Sequence, residues 1–177
     1  MISLGQLPES LGDGIIQLDA HRIEDAEAHL VGEDDEMRRR FDAARPATLE
    51  ETRTAIERWL AGRAVGGPIF AYALRMRSGC LIGGCELQVR SEDSASISYW
   101  VFRPFRGQGY ASRAIDLLCA AAARVSALKR LEIRIATDNH PSLRVAEKAG
   151  FFKIGSVVEK GPTGADSTMV LYAKNIT

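Results

Sequence analysis

Residues 99–113, YWVFRPFRGQGYASR, carry a β-prone aromatic run through Arg103-Pro104 into Arg106-Gly107-Gln108-Gly109-Tyr110-Ala111, where an alanine- and leucine-rich helix begins. Glycines at 107 and 109 let the backbone turn and approach a ligand closely. The free N–H groups and positive dipole end of the following helix favour an anion, phosphate above all. The pattern is a strand-to-helix cradle for a large phosphorylated cofactor. A nucleotide phosphate loop would need G-x-x-x-x-G-K-[ST], and both the second glycine spacing and the lysine are missing. A dinucleotide fingerprint would need a small third residue where Ser112 stands and a parallel βαβ start before it. A second polar cluster, Asn139-His140-Pro141-Ser142, opens a later helix, and Ser142 is a residue type that caps helix starts.

Other reactive residue types form no set. His21, His29 and His140 are scattered and give no metal site. Cys80, Cys85 and Cys119 are odd in number and lack metal-ligand spacing, so they read as structural or free thiols. Trp59 reads as a helix core residue, whereas Tyr99 and Trp100 alternate across one strand, one toward the core and the other toward an acceptor cleft.

The elements that must position the cradle follow from periodicity. Ile15 to Leu18 is a short strand and Ile23 to Leu30 a short helix with acidic residues in its first turn. Thr48 with Glu51 forms a capping box ahead of the apolar stripe Ile56, Trp59 and Leu60. Residues 68–77, 80–89 and 94–102 make an antiparallel meander. Ala111 to Val125 is the central helix, Leu131 to Ala136 a strand, and Ser142 to Ala149 a short helix closed by Gly150. Strands at 151–158 and 168–172 end the chain, and the strand-helix-strand succession demands a right-handed crossover with one parallel pair. The fold class is mixed α/β. The run Gly32-Glu33-Asp34-Asp35-Glu36-Met37-Arg38-Arg39-Arg40 reads as a solvated helix face, or as a lip whose carboxylates suit a cationic amine.

With 177 residues the chain suits one domain, residues 1–177 with a core at about 13–173. Lys plus Arg and Asp plus Glu are equal at 23 each, so there is no global attraction to nucleic acid or an anionic membrane. The first residues lack the basic and apolar regions of a leader, and no apolar run reaches the length of a membrane span. A cytoplasmic setting is expected.

Together, Arg106-x-x-Gly109-x-Ala111 and Asn139-x-x-Ser142 through Gly150-Phe151 resemble the pyrophosphate loop and the N-x-x-S…G-F pattern of GNAT superfamily N-acetyltransferases. Tyr99-Trp100-Val101 and Gly107 to Ala111 are most similar to the RimJ/RimL-like branch, which includes enzymes acting on protein α-amino groups. The resemblance implies a mostly antiparallel six- to seven-stranded sheet, splayed between its fourth and fifth strands and flanked by about four helices. It implies acetyl-CoA as cosubstrate, no metal, and acetyl transfer to a primary amine, on a protein N-terminus or a small molecule, by direct attack in a ternary complex. Val101, Phe102 and Arg103 would lie along the pantetheine arm, with the Val101 N–H serving the oxyanion. Amides from Gly107 through Gln108, Gly109 and Tyr110 to Ala111 would hold the pyrophosphate, and Arg106 would add charge to a phosphate. Asn139 and Ser142 would reach the pantetheine near the sulfur, with Arg144 toward the nucleotide. Dimers are common among similar proteins, so a homodimer is one expected assembly.

The chain departs from that pattern twice. Relatives in this branch carry Glu in an E-I-G-Y-W strand as a water-linked base, whereas Ser96-Ile97-Ser98-Tyr99-Trp100 stands here; many wider-family members carry a tyrosine acid where Ala146 stands. Ser142 becomes the candidate to donate a hydrogen bond to the leaving sulfur, besides its capping role. Candidate bases are Glu86 and the acidic residues at 33–36, with water as an alternative. The missing residues also motivate a rival reading, a non-catalytic acyl-CoA-binding or sensing module, and a nucleotide-binding protein is a third.

Overall fold

The structure, a computed structural model, describes residues 4, 7–41, 43–160 and 164–176. Its strands are β1 (Leu11–Gly12), β2 (Ile16–Asp19), β3 (Ile69–Met76), β4 (Leu81–Val89), β5 (Ser94–Val101), β6 (Arg130–Ala136), β7 (Phe152–Lys160) and β8 (Asp166–Asn175). They form one sheet in the order β1-β2-β3-β4-β5-β6-β8-β7, antiparallel except between β5 and β6. The helices are α1 (Asp25–Gly32), α2 (Asp35–Arg40), α3 (Leu49–Ala64), α4 (Tyr110–Ala122) and α5 (His140–Lys148). The class is the expected one, with one more strand and one more helix. The extra strand is β1, two residues that pair with β2 across a turn where Asp13 accepts the Ile15 and Ile16 N–H groups at 2.9 Å each. The extra helix, α2, is the charged run itself: Asp34 caps the Met37 N–H at 2.9 Å, acids lead and arginines close it, in accord with the helix dipole.

The sheet separates two layers. One face of the central strands, with Phe70, Tyr72 and Leu74 of β3, Cys85 and Leu87 of β4 and Ile97 and Val101 of β5, joins Ile115 and Leu118 of α4 in the main core. The other face is turned to α1 and α3, where Trp100 packs in a second cluster with Ala73, Leu81, Met37, Phe102 and Trp59. Buried Arg75 on β3 ties α1 to the sheet through Asp25 at 2.9 and 2.6 Å and Asp19 at 2.8 Å. Inside the fold such a fork is strong only because both carboxylates complete it.

Between β5 and β6 the pairing covers Ser94, Ala95 and Ser96 with Arg130, Leu131 and Glu132, and then stops. Beyond that point β5 follows β4 as far as Val101 and β6 follows β8. These are the fourth and fifth strands counted from β2, so the expected splay is present. The Phe102 N–H donates to the Ile82 carbonyl at 2.8 Å. Strand alternation therefore turns the Val101 N–H the other way, into the gap.

Candidate active site

A cleft of about 650 Å³ opens where the strands part. Tyr99 and Val101 line it from β5, Ala136 from β6, Phe105–Gly107 and Gly109–Ser112 from one end, and the first turns of α5 from the other. Gly107 and Gly109 take φ of +75° and +83°, a region that costs any other residue, and a Cβ at either would meet nothing within 4 Å. Gly109 is the N-cap of the 13-residue α4 and no side chain caps the helix. The first amides of α4 therefore face an open concavity, which fits a pyrophosphate. Gln108 folds back instead, its Nε2 donating to the Pro104 carbonyl at 3.1 Å.

Asn139 is the N-cap of α5; its Oδ1 accepts the Ser142 N–H at 3.3 Å. The capping role considered for Ser142 thus belongs to Asn139, and the Ser142 hydroxyl is available to the cleft it lines. Tyr99 reaches that hydroxyl from β5, its phenol donating to Ser142 Oγ at 2.8 Å. Burial raises the Tyr99 pKa, keeping the phenol protonated.

On the other face of the sheet, between it and α1 and α3, lies a second cavity of about 440 Å³. Trp59, Trp100, His29 and Phe41 wall it; the two tryptophan rings stack with centroids 5.5 Å apart. Trp100 Nε1 and His29 Nε2 are buried there without partners. Met37, Phe41 and Trp100 line both spaces, so the cavity meets the cleft at those side chains. Trp59 is accordingly a cavity wall rather than a pure core residue. Glu86 lines this second cavity and accepts the Ser98 hydroxyl at 2.8 Å. Ser96, at the position where a carboxylate was expected, accepts Arg90 Nε at 2.8 Å.

A family model described as the acetyltransferase (GNAT) domain matches residues 16–152. The chain belongs to the GNAT acetyltransferase family. Among solved structures, Mycobacterium smegmatis RimJ in complex with CoA-disulfide superposes with a TM-score of 0.83 at 20% identity, covering 99% of this chain and 90% of its own. The Salmonella typhimurium acetyltransferase that modifies the N-terminal serine of ribosomal protein L7/L12 gives 0.81 at 23% identity, covering 93% and 97%. The microcin C7 self-immunity acetyltransferase MccE, in complex with acetyl-CoA and AMP, gives 0.82 at 19%, covering 92% and 93%. No curated protein matches the chain in sequence.

Within this GNAT fold the expected site residues divide. Val101, Arg106, Gly107, Gly109, Tyr110 and Ala111 line the cleft, as do Asn139, Ser142 and Arg144. Phe102, Arg103 and Gln108 do not: the Phe102 ring lies beneath α1, 5.7 Å from the His29 ring, and Arg103 is exposed in a 3-10 turn. Arg106 lines the cleft with its charge already engaged by Asp34. The acidic candidates at 33–36 are likewise held by arginines, Glu33 and Asp35 by Arg38 and Glu36 by Arg39 and Arg40. Lys148 lines the cleft four residues after Arg144, hence on the same helix face; that spacing was the signal by which it could have been found. Among the described residues no group of His, Cys, Asp and Glu is placed to hold a metal, and no helix is long and apolar enough to cross a membrane.

Proposed function

We propose that the whole chain is one acetyltransferase domain that moves the acetyl group of acetyl-CoA to a primary amine, on a protein N-terminus or a small molecule, in a single step within a ternary complex. One observation carries this reading: the parting of β5 from β6 brings the Val101 N–H, the uncapped start of α4 and the Ser142 hydroxyl onto one cleft. Bound acetyl-CoA supplies a thioester already activated toward an amine. The amides at the start of α4 hold its pyrophosphate, and Arg144 and Lys148 offer cations to its remaining phosphate. The Val101 N–H polarises the acyl oxygen and Ser142 faces the sulfur. The acceptor enters through the aromatic cavity, which meets the cleft at Trp100, with Glu86 as its candidate base.

Direct attack is favoured over an acyl-enzyme. No cysteine lines either cavity, and burial pushes the Cys119 thiol up to about 11 and Cys85 higher still, so neither provides a thiolate. The structurally similar acetyltransferase acting on the N-terminal serine of L7/L12 favours a protein N-terminus as acceptor. Calorimetric titration with acetyl-CoA, in competition with ATP and NAD, tests the cofactor: acetyl-CoA binds and CoA displaces it, whereas preferential binding of ATP or NAD contradicts the reading.

A further inference from the structure

We propose that Tyr99 is a positioning residue for the departing sulfur, acting through Ser142; this rests on the acetyl-CoA reading of the cleft. A serine hydroxyl has one hydrogen and two lone pairs. Here the Tyr99 O–H, 2.8 Å away, occupies one lone pair from the sheet side. The Ser142 N–H is taken by Asn139, so the backbone of this turn is satisfied without the hydroxyl. A helical serine commonly spends its hydrogen on a carbonyl one turn back. With Tyr99 as a fixed donor, the Ser142 hydrogen is directed away from the phenol and into the cleft that Ser142 lines. Burial of Tyr99 keeps the phenol a donor, so the pair cannot invert through a phenolate. Ala146, one turn further along α5, is fully buried and brings no polar atom, leaving the strand-borne tyrosine to set the geometry.

In the transfer, the amine lone pair forms the new C–N bond, the C–S bond breaks with its electrons on sulfur, and the amine proton passes to the base, Glu86 directly or through a water. Ser142 donates its hydrogen bond to the resulting thiolate, and Tyr99 keeps its proton throughout. Tyr99 therefore lowers the pKa of a bound CoA thiol without touching it.

That thiol can be titrated by its thiolate absorbance in the complex with CoA, referenced to the complex with desulfo-CoA, so no acceptor is needed. The thiol bound to the native chain titrates below free CoA. Tyr99→Phe raises the value by about half a unit to one unit, a three- to tenfold loss of thiolate at fixed pH, the worth of one neutral hydrogen bond. Ser142→Ala raises it at least as far, and the double variant adds nothing beyond Ser142→Ala. Thermal melts and CoA affinity accompany each variant, and because Ser142 is half-buried in the first turn of α5, whose cap Asn139 already supplies, its variant reports on the bond even where Tyr99→Phe is less stable. An unmoved titration in either single variant with CoA bound overturns the role of Tyr99 while leaving the cofactor site intact. Failure of the native chain to bind CoA at all overturns the cofactor reading and the role together.

Discussion

Arg106 is forked onto Asp34, Nη1 to Oδ2 at 2.8 Å and Nη2 to Oδ1 at 2.9 Å, while its Nε donates to the Val101 carbonyl at 2.8 Å. One side chain thus joins the glycine loop, the free end of β5 and the cap of α2. The Arg106 fork, first among the influences on it, holds the Asp34 carboxyl below its usual range. At the other end of α2, Arg39 and Arg40 both reach Asp138, the residue before the cap of α5. The charged run therefore bridges the two sides of the cleft as a lip.

This arrangement makes Arg106 a strut for the Val101 peptide, with its charge engaged by Asp34. Arg106→Ala should weaken acetyl-CoA binding by about 1.5–3 kcal/mol, the scale of a charge-assisted bond, and Asp34→Ala should weaken it as well. Calorimetry decides: tighter binding by Asp34→Ala would mean that Asp34 withholds a cation from the phosphates.

Gly109 carries the loop prediction. Valine there is strained by about 1–2 kcal/mol at positive φ and fills the open space in front of the first α4 amides. Acetyl-CoA affinity should fall roughly a hundredfold, about 3 kcal/mol, with a drop of only a few degrees in Tm. Native affinity in Gly109→Val would remove the pyrophosphate from this loop.

Local patterns in the chain exposed much of this architecture, and their limits are physical. The Thr48–Glu51 capping box is a contact between near neighbours, and it is present as the sequence implied. The glycine spacing of the cradle needed only backbone freedom to be recognised. Asn139 and Ser142 are both capping residue types; Pro141, in the first turn of α5, fixes the helix start so that the cap falls to Asn139. The Tyr99–Ser142 contact joins residues 43 positions apart across strands that have separated, and the Arg106–Asp34 contact joins a loop to a helix cap 72 positions away. No periodicity encodes such meetings. The choice between solvated face and lip for the charged run was open for a related reason, since a charged helix looks the same in sequence whether it faces solvent or a cleft.

The aromatic layer under α1 predicts acid sensitivity. His21 stacks on Trp59 with centroids 4.4 Å apart, and desolvation, reinforced by nearby His29, pushes its pKa down to about 3. Unfolded histidine titrates near 6.5, so below that pH the unfolded state binds a proton that the folded state refuses. This contribution is intact above about pH 6.5 and is lost as pH falls toward 3; between pH 7.5 and 5 it removes about 2 kcal/mol. Asp25, buried yet held low by Arg75, adds its own loss only at lower pH. Urea midpoints at the two pH values should show the drop in the native chain and a smaller one in His21→Phe. Identical midpoints at both pH values in the native chain would contradict a neutral buried His21.

Catalysis itself is tested by CoA release from acetyl-CoA, followed by thiol detection with and without an amine panel of N-terminal peptides and small primary amines, with the products weighed by mass spectrometry. CoA release should depend on the amine and be matched mole for mole by acetylated amine, with no acetylated form of the chain accumulating. Acetyl-CoA bound tightly but never cleaved across the panel would contradict it and leave a binding or sensing module in its place.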